Sequence, residues 1–291
     1  MRRKMEQQVI AEIPSLAWLF EESKPIVPVS FETNNPLAFV NLLKAVRTLV
    51  DETSIYVDPI KQAIVFRTLD LAEVSLIDAI FIPERYEVQN HDYPFAFNMR
   101  IEDFTRLMPK LSKKDYERLT VVIHGDHLEA RIKDTTFKVP VYELGLVGYN
   151  VKMFPLPQII SHTRVDVVLA DLIDAVERLK AITDYVELSY VEDHSVLEKY
   201  LKVSGKGEIS EFSTRIQIYN YDSYDENDKA SYDLRRLLSI LKALKRLSND
   251  KTDWVKVEFS TDFPLKITLN PRNSPIQYVT YYVAPRMEKR D

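Results

Sequence analysis

Two histidines, His124 and His127, flank the dipeptide Gly125-Asp126. Read as a tight hairpin turn, that dipeptide puts two imidazoles on adjacent strands, which is the beginning of a zinc-type ligand set. His91, His162 and His194 are scattered, so no third ligand is apparent and no metal is expected. Gly205-Lys206-Gly207 lacks the flanking spacing of a phosphate loop and falls between strand patterns, which makes it a turn. The sequence holds no Gly-x-Ser-x-Gly elbow, the strained turn that presents a nucleophilic serine. Asp and Glu are plentiful, but none pairs convincingly across a strand–loop site. With zero cysteines, disulfides, thiolate metal sites and cysteine nucleophiles are excluded. The expectation is a protein that is not an enzyme and carries no cofactor.

What remains is cationic side chains on helices. At roughly 100° per residue, Arg235, Ser239, Lys242 and Arg246 fall within an arc of about 60°, opposite a leucine-rich face. Arg106, Lys110 and Lys113 share an arc on a second pattern, backed by Phe104, Met108 and Leu111. A third pattern offers Lys44 flanked by Arg47, and a fourth has the mixed face Asp171, Asp174 and Arg178. Residues 232–250 and 99–114 each carry five basic and two acidic side chains; residues 36–52 are neutral and 168–181 carry −1. The four segments therefore sum to +5 inside a chain of net charge −5, leaving −10 elsewhere. One such face alone reads as ordinary solvated helix. Two nearly pure basic arcs in matching places of a repeat favour contact with phosphates, and the lack of interleaved aromatics makes that contact sequence-independent.

The repeat is weak but doubled. Leu172–Leu179 matches the helical run Pro36–Val50, with Ala45 facing Ala175, and Asp103–Met108 matches Asp233–Leu238 at the same offset (175 − 45 = 233 − 103 = 130). Asn34 and Asn35 stand ready to cap the first helix, and Pro36 suits its first turn. Alternating apolar runs predict strands at 53–57, 63–68, 74–81, 119–124 and 129–138, then at 185–190, 200–204, 213–219, 254–260, 265–269 and 276–283. The fold class expected is α+β: two tandem antiparallel-sheet domains, each with two helices on one face. Gly145, Gly148, Pro155 and Pro157 cluster between them, which is linker chemistry. The boundaries are an N-terminal extension over 1–30, a first domain over 31–142, a connector over 143–158 and a second domain over 159–291.

At 291 residues, with 45% hydrophobic and 29% charged side chains, the chain has the balance of a globular protein of two domains. The apolar stretch from Val9 to Phe20 is broken by Glu12 and Pro14, too short for a membrane span and without a signal-peptide core. A cytoplasmic, nucleoid-associated protein with no membrane partner is expected.

Several segments resemble the proliferating cell nuclear antigen family of DNA polymerase sliding clamps, in its archaeal form. They are Leu42-Leu-Lys-Ala-Val46 with Val50-Asp-Glu-Thr53, Thr68-Leu-Asp-Leu-Ala-Glu-Val-Ser-Leu-Ile77, Phe137-Lys-Val-Pro140 and Tyr232-Asp-Leu-Arg-Arg-Leu237. Pro264-Leu-Lys-Ile267 and Tyr281-Tyr-Val-Ala-Pro285 complete the set, so the likeness runs from about Phe31 to the C-terminus. It implies a three-subunit ring, a processivity factor whose helices line a channel for duplex DNA. Lys44, Arg47, Arg106, Lys110, Lys113, Arg178, Arg235, Lys242 and Arg246 would face the DNA. Three such chains would carry −15 overall and still have a basic lumen, with threading rather than affinity retaining the ring. The resemblance also implies a clamp loader, and polymerase, nuclease and ligase partners that insert a short apolar-aromatic motif into a groove. That groove would be built from Leu69, Val74 and Leu76, from Leu144 and Leu146 of the connector, and from Pro264, Tyr282, Ala284 and Pro285. Subunits would meet through strand edges in Glu129–Lys138 and Glu208–Ile216, joined as a homotrimer or a heterotrimer.

Several features depart from the family pattern. About 30 residues precede its start, including Met1-Arg-Arg-Lys4 and a short helical pattern around Leu16–Glu22. The connector is short and lacks an acidic run, and Tyr219–Asp228 is acidic and tyrosine-rich. Pro109 should kink or shorten the second helix. Two other readings stand beside the closed ring: a subunit of a heterotrimeric or damage-response clamp that does not close alone, and a DNA-independent interaction module.

Overall fold

The computed structural model describes residues 29–88, 94–110, 117–146, 153–159, 161–195, 197–223, 228–250 and 252–286. The N-terminal extension, including the pattern around Leu16–Glu22, lies outside them apart from its last two residues.

The described elements form four successive βαβββ units. The first is β1 (Val29–Thr33), α1 (Pro36–Val46), β2 (Glu52–Asp58), β3 (Ala63–Leu69) and β4 (Ser75–Phe81). After β5 (Arg85–Val88), the second is β6 (Phe95–Arg100), α2 (Ile101–Leu107), β7 (Leu119–Ile123), β8 (His127–Ile132) and β9 (Thr135–Pro140), followed by β10 (Tyr142–Leu146). The third is β11 (Thr163–Val168), α3 (Leu169–Leu179), β12 (Tyr185–Asp193), β13 (Glu198–Lys206) and β14 (Glu211–Gln217). After β15 (Asn220–Ser223), the fourth is β16 (Lys229–Asp233), α4 (Leu234–Leu247), β17 (Trp254–Phe259), β18 (Leu265–Leu269) and β19 (Ile276–Val283).

Leading strands are exchanged between neighbouring units. β1 pairs with β7 of the second unit, and β6 pairs with β2 of the first. β11 and β17, and β16 and β12, repeat the exchange in the second half. Each half is thereby interlocked. The halves are joined by backbone pairing of β4 with β19, from Phe81 opposite Ile276 to Ser75 opposite Val283. That junction lies at the centre of a ten-stranded sheet, β10-β6-β2-β3-β4-β19-β18-β17-β11-β15. Two smaller sheets, β5-β1-β7-β8-β9 and β14-β13-β12-β16, complete the halves.

The structure shifts the repeat by three residues. Both pairs of helix starts, the ends of α1 and α3, and the starts of β2 and β12 relate at 133 rather than 130 (169 − 36 = 234 − 101 = 179 − 46 = 185 − 52 = 133). Buried Pro36, Phe39, Val40, Leu42, Leu43 and Val46 correspond to Leu169, Leu172, Ile173, Ala175, Val176 and Leu179. A slip of three residues is nearly one helical turn, so it keeps the apolar face and gives an almost equal match. The corrected register also aligns the caps. The N–H groups of Ile101 and Leu234, which open α2 and α4, donate to the carbonyls of Asp51 and Asp184 at 2.7 and 3.0 Å, pairs again 133 apart.

Asn35 caps α1, its side chain accepting from the Ala38 N–H at 3.0 Å with Pro36 in the first turn, as the sequence predicts. α2 stops at Leu107, with Met108 extended ahead of Pro109. Proline disfavours helical geometry in the residue before it, so the helix is shortened rather than kinked. Lys110 therefore lies beyond the helix that was expected to present it. The strand expected over 129–138 is a hairpin, β8 and β9, turning at Lys133 with φ of 53°.

Phe39 on α1 ties the layers together. Its ring lies 5.4 Å from Phe31, 5.1 Å from Phe81 and 5.8 Å from Phe104, so one side chain touches both sheets of the first half and α2. Such edge-to-face contacts add to the burial of aromatic area. The apolar core runs unbroken through both halves.

Candidate partner groove and nucleic-acid face

Where β4 and β19 end side by side, the sheet opens into an apolar cavity of about 350 Å³. Leu69, Val74 and Leu76 line it from the first half and Pro264, Tyr282 and Ala284 from the second, with Phe154 and Leu156 of the connector as its outer wall. Phe154 and Leu156 are 47% and 37% exposed, large apolar groups with no core to enter. A shallow apolar groove of this kind suits aromatic anchors from a peptide. A larger cleft of about 1150 Å³ beside Tyr185, Lys206 and Arg286 mixes charged and polar groups with Ala181, Ile182 and Ile209.

Two polar clusters hold the groove in shape. In the β3–β4 turn, the Asp70 carboxylate accepts from the Val74 and Ser75 N–H groups at 2.8 and 3.0 Å. Arg236 reaches from α4 in the other half to donate to that carboxylate and to Ser75 Oγ at 3.0 Å. Asp70 is buried, so its charge requires such partners. On the connector side, Arg67 Nε donates to buried Asp78 at 2.7 Å and its Nη1 donates to the Phe154 carbonyl at 3.2 Å. Tyr278 donates to the second Asp78 oxygen at 2.8 Å. Burial pushes the Tyr278 and Tyr282 phenols upward, helped next by the hydrogen bond to Asp78 at Tyr278 and by the Asp78 charge at Tyr282.

The four helices lie in a row, α2-α1-α4-α3. Asn41 of α1 donates to the Arg246 carbonyl of α4 at 3.0 Å. Lys242 of α4 pairs with Glu177 of α3 at 2.6 Å, and this hydrogen bond holds the Glu177 carboxyl below the ordinary carboxylate range. Leu237, Leu241 and Leu244 point into the core while Arg235, Ser239, Lys242, Lys245 and Arg246 are exposed. Tyr281 of β19 donates to the Ala45 carbonyl at 2.7 Å, fixing the end of α1 over the junction of the halves.

A solved structure of PCNA from Thermococcus kodakaraensis superposes with a TM-score of 0.73 at 21% identity, over 89% of this chain and 100% of that one. The fold is that of a DNA sliding clamp. An Archaeoglobus fulgidus PCNA solved with the C-terminal region of FEN-1 bound gives 0.72 at 14% identity, over 90% and 99%. A PCNA2–PCNA3 complex from Sulfolobus tokodaii gives 0.69 at 17%, over 89% and 100%. Among curated sequences, the DNA polymerase sliding clamps of Nitrosopumilus maritimus and Cenarchaeum symbiosum are 24% and 23% identical over 85% and 84% of this chain, and 94% and 93% of theirs. No protein-family model matches.

In this clamp fold, the expected groove residues divide. Leu69, Val74, Leu76, Pro264, Tyr282 and Ala284 come together, and Pro285 follows Ala284 just outside the lining. The backbone at Leu144 and Leu146 runs elsewhere. They belong to β10, which pairs with β6 at the far edge of the ten-stranded sheet, with Leu146 opposite Phe95. The connector wall is Phe154 and Leu156, on either side of Pro155.

The expected DNA-facing cations divide as well. Lys44, Arg178, Arg235 and Arg246 are exposed on their helices and form no ion pair among the described residues. Arg47 is held by Asp51 and Glu102, each at 3.1 Å, Arg106 by Asp103 at 3.5 Å, and Lys242 by Glu177. Lys110 is exposed beyond the end of α2, and Lys113 lies outside the described residues. Lys245, exposed beside Arg246, was missed because it falls outside the arc drawn through the other four. No helix among the described residues is long and apolar enough to cross a membrane.

Proposed function

We propose that this protein is a DNA sliding clamp: a ring subunit that encircles duplex DNA without reading its sequence and tethers replication and repair proteins through the β4–β19 groove. It performs no chemistry of its own. The observation that carries this reading is a row of helices with outward, unpaired cations on a clamp fold, in a chain whose remainder is acidic. Lys44, Arg178, Arg235, Lys245 and Arg246 would supply weak phosphate contacts, and closure around the duplex would supply retention. Partner motifs would seat an apolar plug against Leu76 and Tyr282 and lean aromatic groups on Phe154 and Leu156.

Ring closure would use β9 and β14, each an edge strand of a smaller sheet, one in each half. Their outward backbone groups have no ladder partner among the described residues, and pairing β9 of one subunit with β14 of the next would satisfy both. A heterologous contact of this type closes into a ring when the rotation permits. Light scattering on a sizing column tests closure directly. Three chains of 34.0 kDa give about 102 kDa for a self-closing homotrimer; a mass of one chain at high concentration assigns closure to other subunits, as in a mixed ring. Failure of any assembled form to bind duplex would leave the DNA-independent module as the reading.

A further inference from the structure

The β7–β8 hairpin carries a ligand set that the clamp function does not use. His124 and His127 come together across the turn, their rings stacked with centroids 4.5 Å apart and planes 16° from parallel. Glu129, two residues along β8 from His127, points to the same face, since Leu128 and Ala130 between and beyond them are buried in the core. One ligand atom from each of the three lies within 4.8 Å of the others. Asp126 accepts a hydrogen bond from His127 Nδ1 at 2.6 Å. An ionised carboxylate only accepts, so Nδ1 carries the proton and the neutral ring presents its lone pair on Nε2. His127 Nε2 is the atom left buried with no hydrogen-bond partner among the described residues. A carboxylate orienting one imidazole nitrogen while the other is left without a partner is the arrangement that prepares a histidine for a metal.

We propose that His124, His127 and Glu129 form a binding site for one divalent transition-metal ion of the zinc type. Two imidazole nitrogens and one carboxylate oxygen make a three-ligand set with a fourth position open to water or to a further ligand. Tetrahedral coordination at about 2.0–2.1 Å needs ligand atoms roughly 3.3 Å apart, so the side chains close by about an ångström and a half at most. Glu129 is engaged by Arg131 at 2.5 Å through Oε1, whereas among the described residues Oε2 is met by Lys138 at 3.8 Å. Oε2 is therefore the oxygen available to the ion, and Arg131 competes with it for the carboxylate. The absence of cysteine removes thiolates as competing ligands.

The test is isothermal titration of the full chain with zinc chloride, repeated with cobalt(II) while visible absorption is recorded. One ion per chain and a tetrahedral cobalt spectrum are expected. His127→Gln and Glu129→Gln should each weaken binding by at least about 100-fold. Asp126→Asn, which removes only the orienting carboxylate, should cost about 10–100-fold. Arg131→Gln should tighten binding by freeing Glu129. His127, Glu129 and Arg131 alternate with the core residues of β8 and Asp126 is exposed in the turn, and an unchanged melting temperature without metal checks that folding is intact. The assignment is overturned by the absence of binding, or by zinc binding that survives in the His124→Gln/His127→Gln double variant with unchanged stoichiometry and affinity.

Discussion

Removing the Asp70 carboxylate should loosen the partner groove from a distance, and a double-mutant cycle with Arg236 isolates how. Asp70→Ala deprives the Val74 and Ser75 N–H groups of their acceptor and leaves the Arg236 guanidinium without its carboxylate. The two backbone N–H bonds share one carboxylate oxygen and contribute about 1 kcal/mol each, and the bond from the guanidinium about 2 kcal/mol. The full penalty of about 3–5 kcal/mol for stranding a buried charge does not apply, because the Arg236 side chain is 30% exposed and water reaches it. The expected loss is about 4 kcal/mol, a fall of roughly 8–12 °C in melting temperature for a chain of this size. Arg236→Ala alone should cost about 2 kcal/mol, since Asp70 keeps both backbone donors. The double variant should then show a coupling of about 2 kcal/mol by urea denaturation. Because the same turn presents Val74 and Leu76 to the groove, Asp70→Ala should also weaken partner-peptide binding at least tenfold by fluorescence anisotropy. A coupling below about 0.5 kcal/mol, or an unaltered peptide affinity, would refute the idea that α4 of one half sets the groove wall of the other.

Four further outcomes follow from the same geometry. Phe154→Ala and Leu156→Ala, exposed and outside the core, should each reduce peptide affinity about tenfold by anisotropy with no change in melting temperature; a drop in stability instead would make them structural. Glu177→Gln should release Lys242 and steepen the salt dependence of duplex binding, by about 0.9 in log–log slope for each additional phosphate neutralised, whereas Arg235→Glu with Arg246→Glu should abolish clamp-dependent polymerase stimulation while the assembled mass stays unchanged. Phe39→Ala should destabilise the first half by about 3–5 kcal/mol in denaturant unfolding, because its ring bridges both sheets and α2.

The elements were largely legible where the cause is local. Apolar spacing, the Asn35 cap and Pro36 defined α1, strict alternation gave β18 and a β-branched and aromatic run gave β19, both with their observed bounds. The leading strands β1, β6, β11 and β16 were overlooked, although Val29-Ser-Phe-Glu-Thr33 and Thr163-Arg-Val-Asp-Val-Val168 alternate cleanly. Recognising them would have exposed the four-unit architecture and the 133-residue register. The basic faces were visible as arcs, but their neutralisation was not. Glu177 meets Lys242 only because α3 and α4 pack side by side, and Glu102 meets Arg47 only because α2 lies against α1. Likewise, nothing local links Asp70 to Arg236, 166 residues apart, or adds Glu129 to the histidine pair before β8 has a face. The misplacement of Leu144 and Leu146 has the same origin. A glycine between two leucines reads as connector until β10 is seen pairing with β6.

Retention by closure rather than by affinity is tested by cutting the DNA. The assembled ring, loaded on a nicked circular duplex and washed in high salt, should remain bound and should leave promptly when a restriction enzyme linearises the circle. Equal retention on circular and linear duplex, or loss from both in high salt, would mean that the basic helices hold DNA as an open surface and that no ring encloses it.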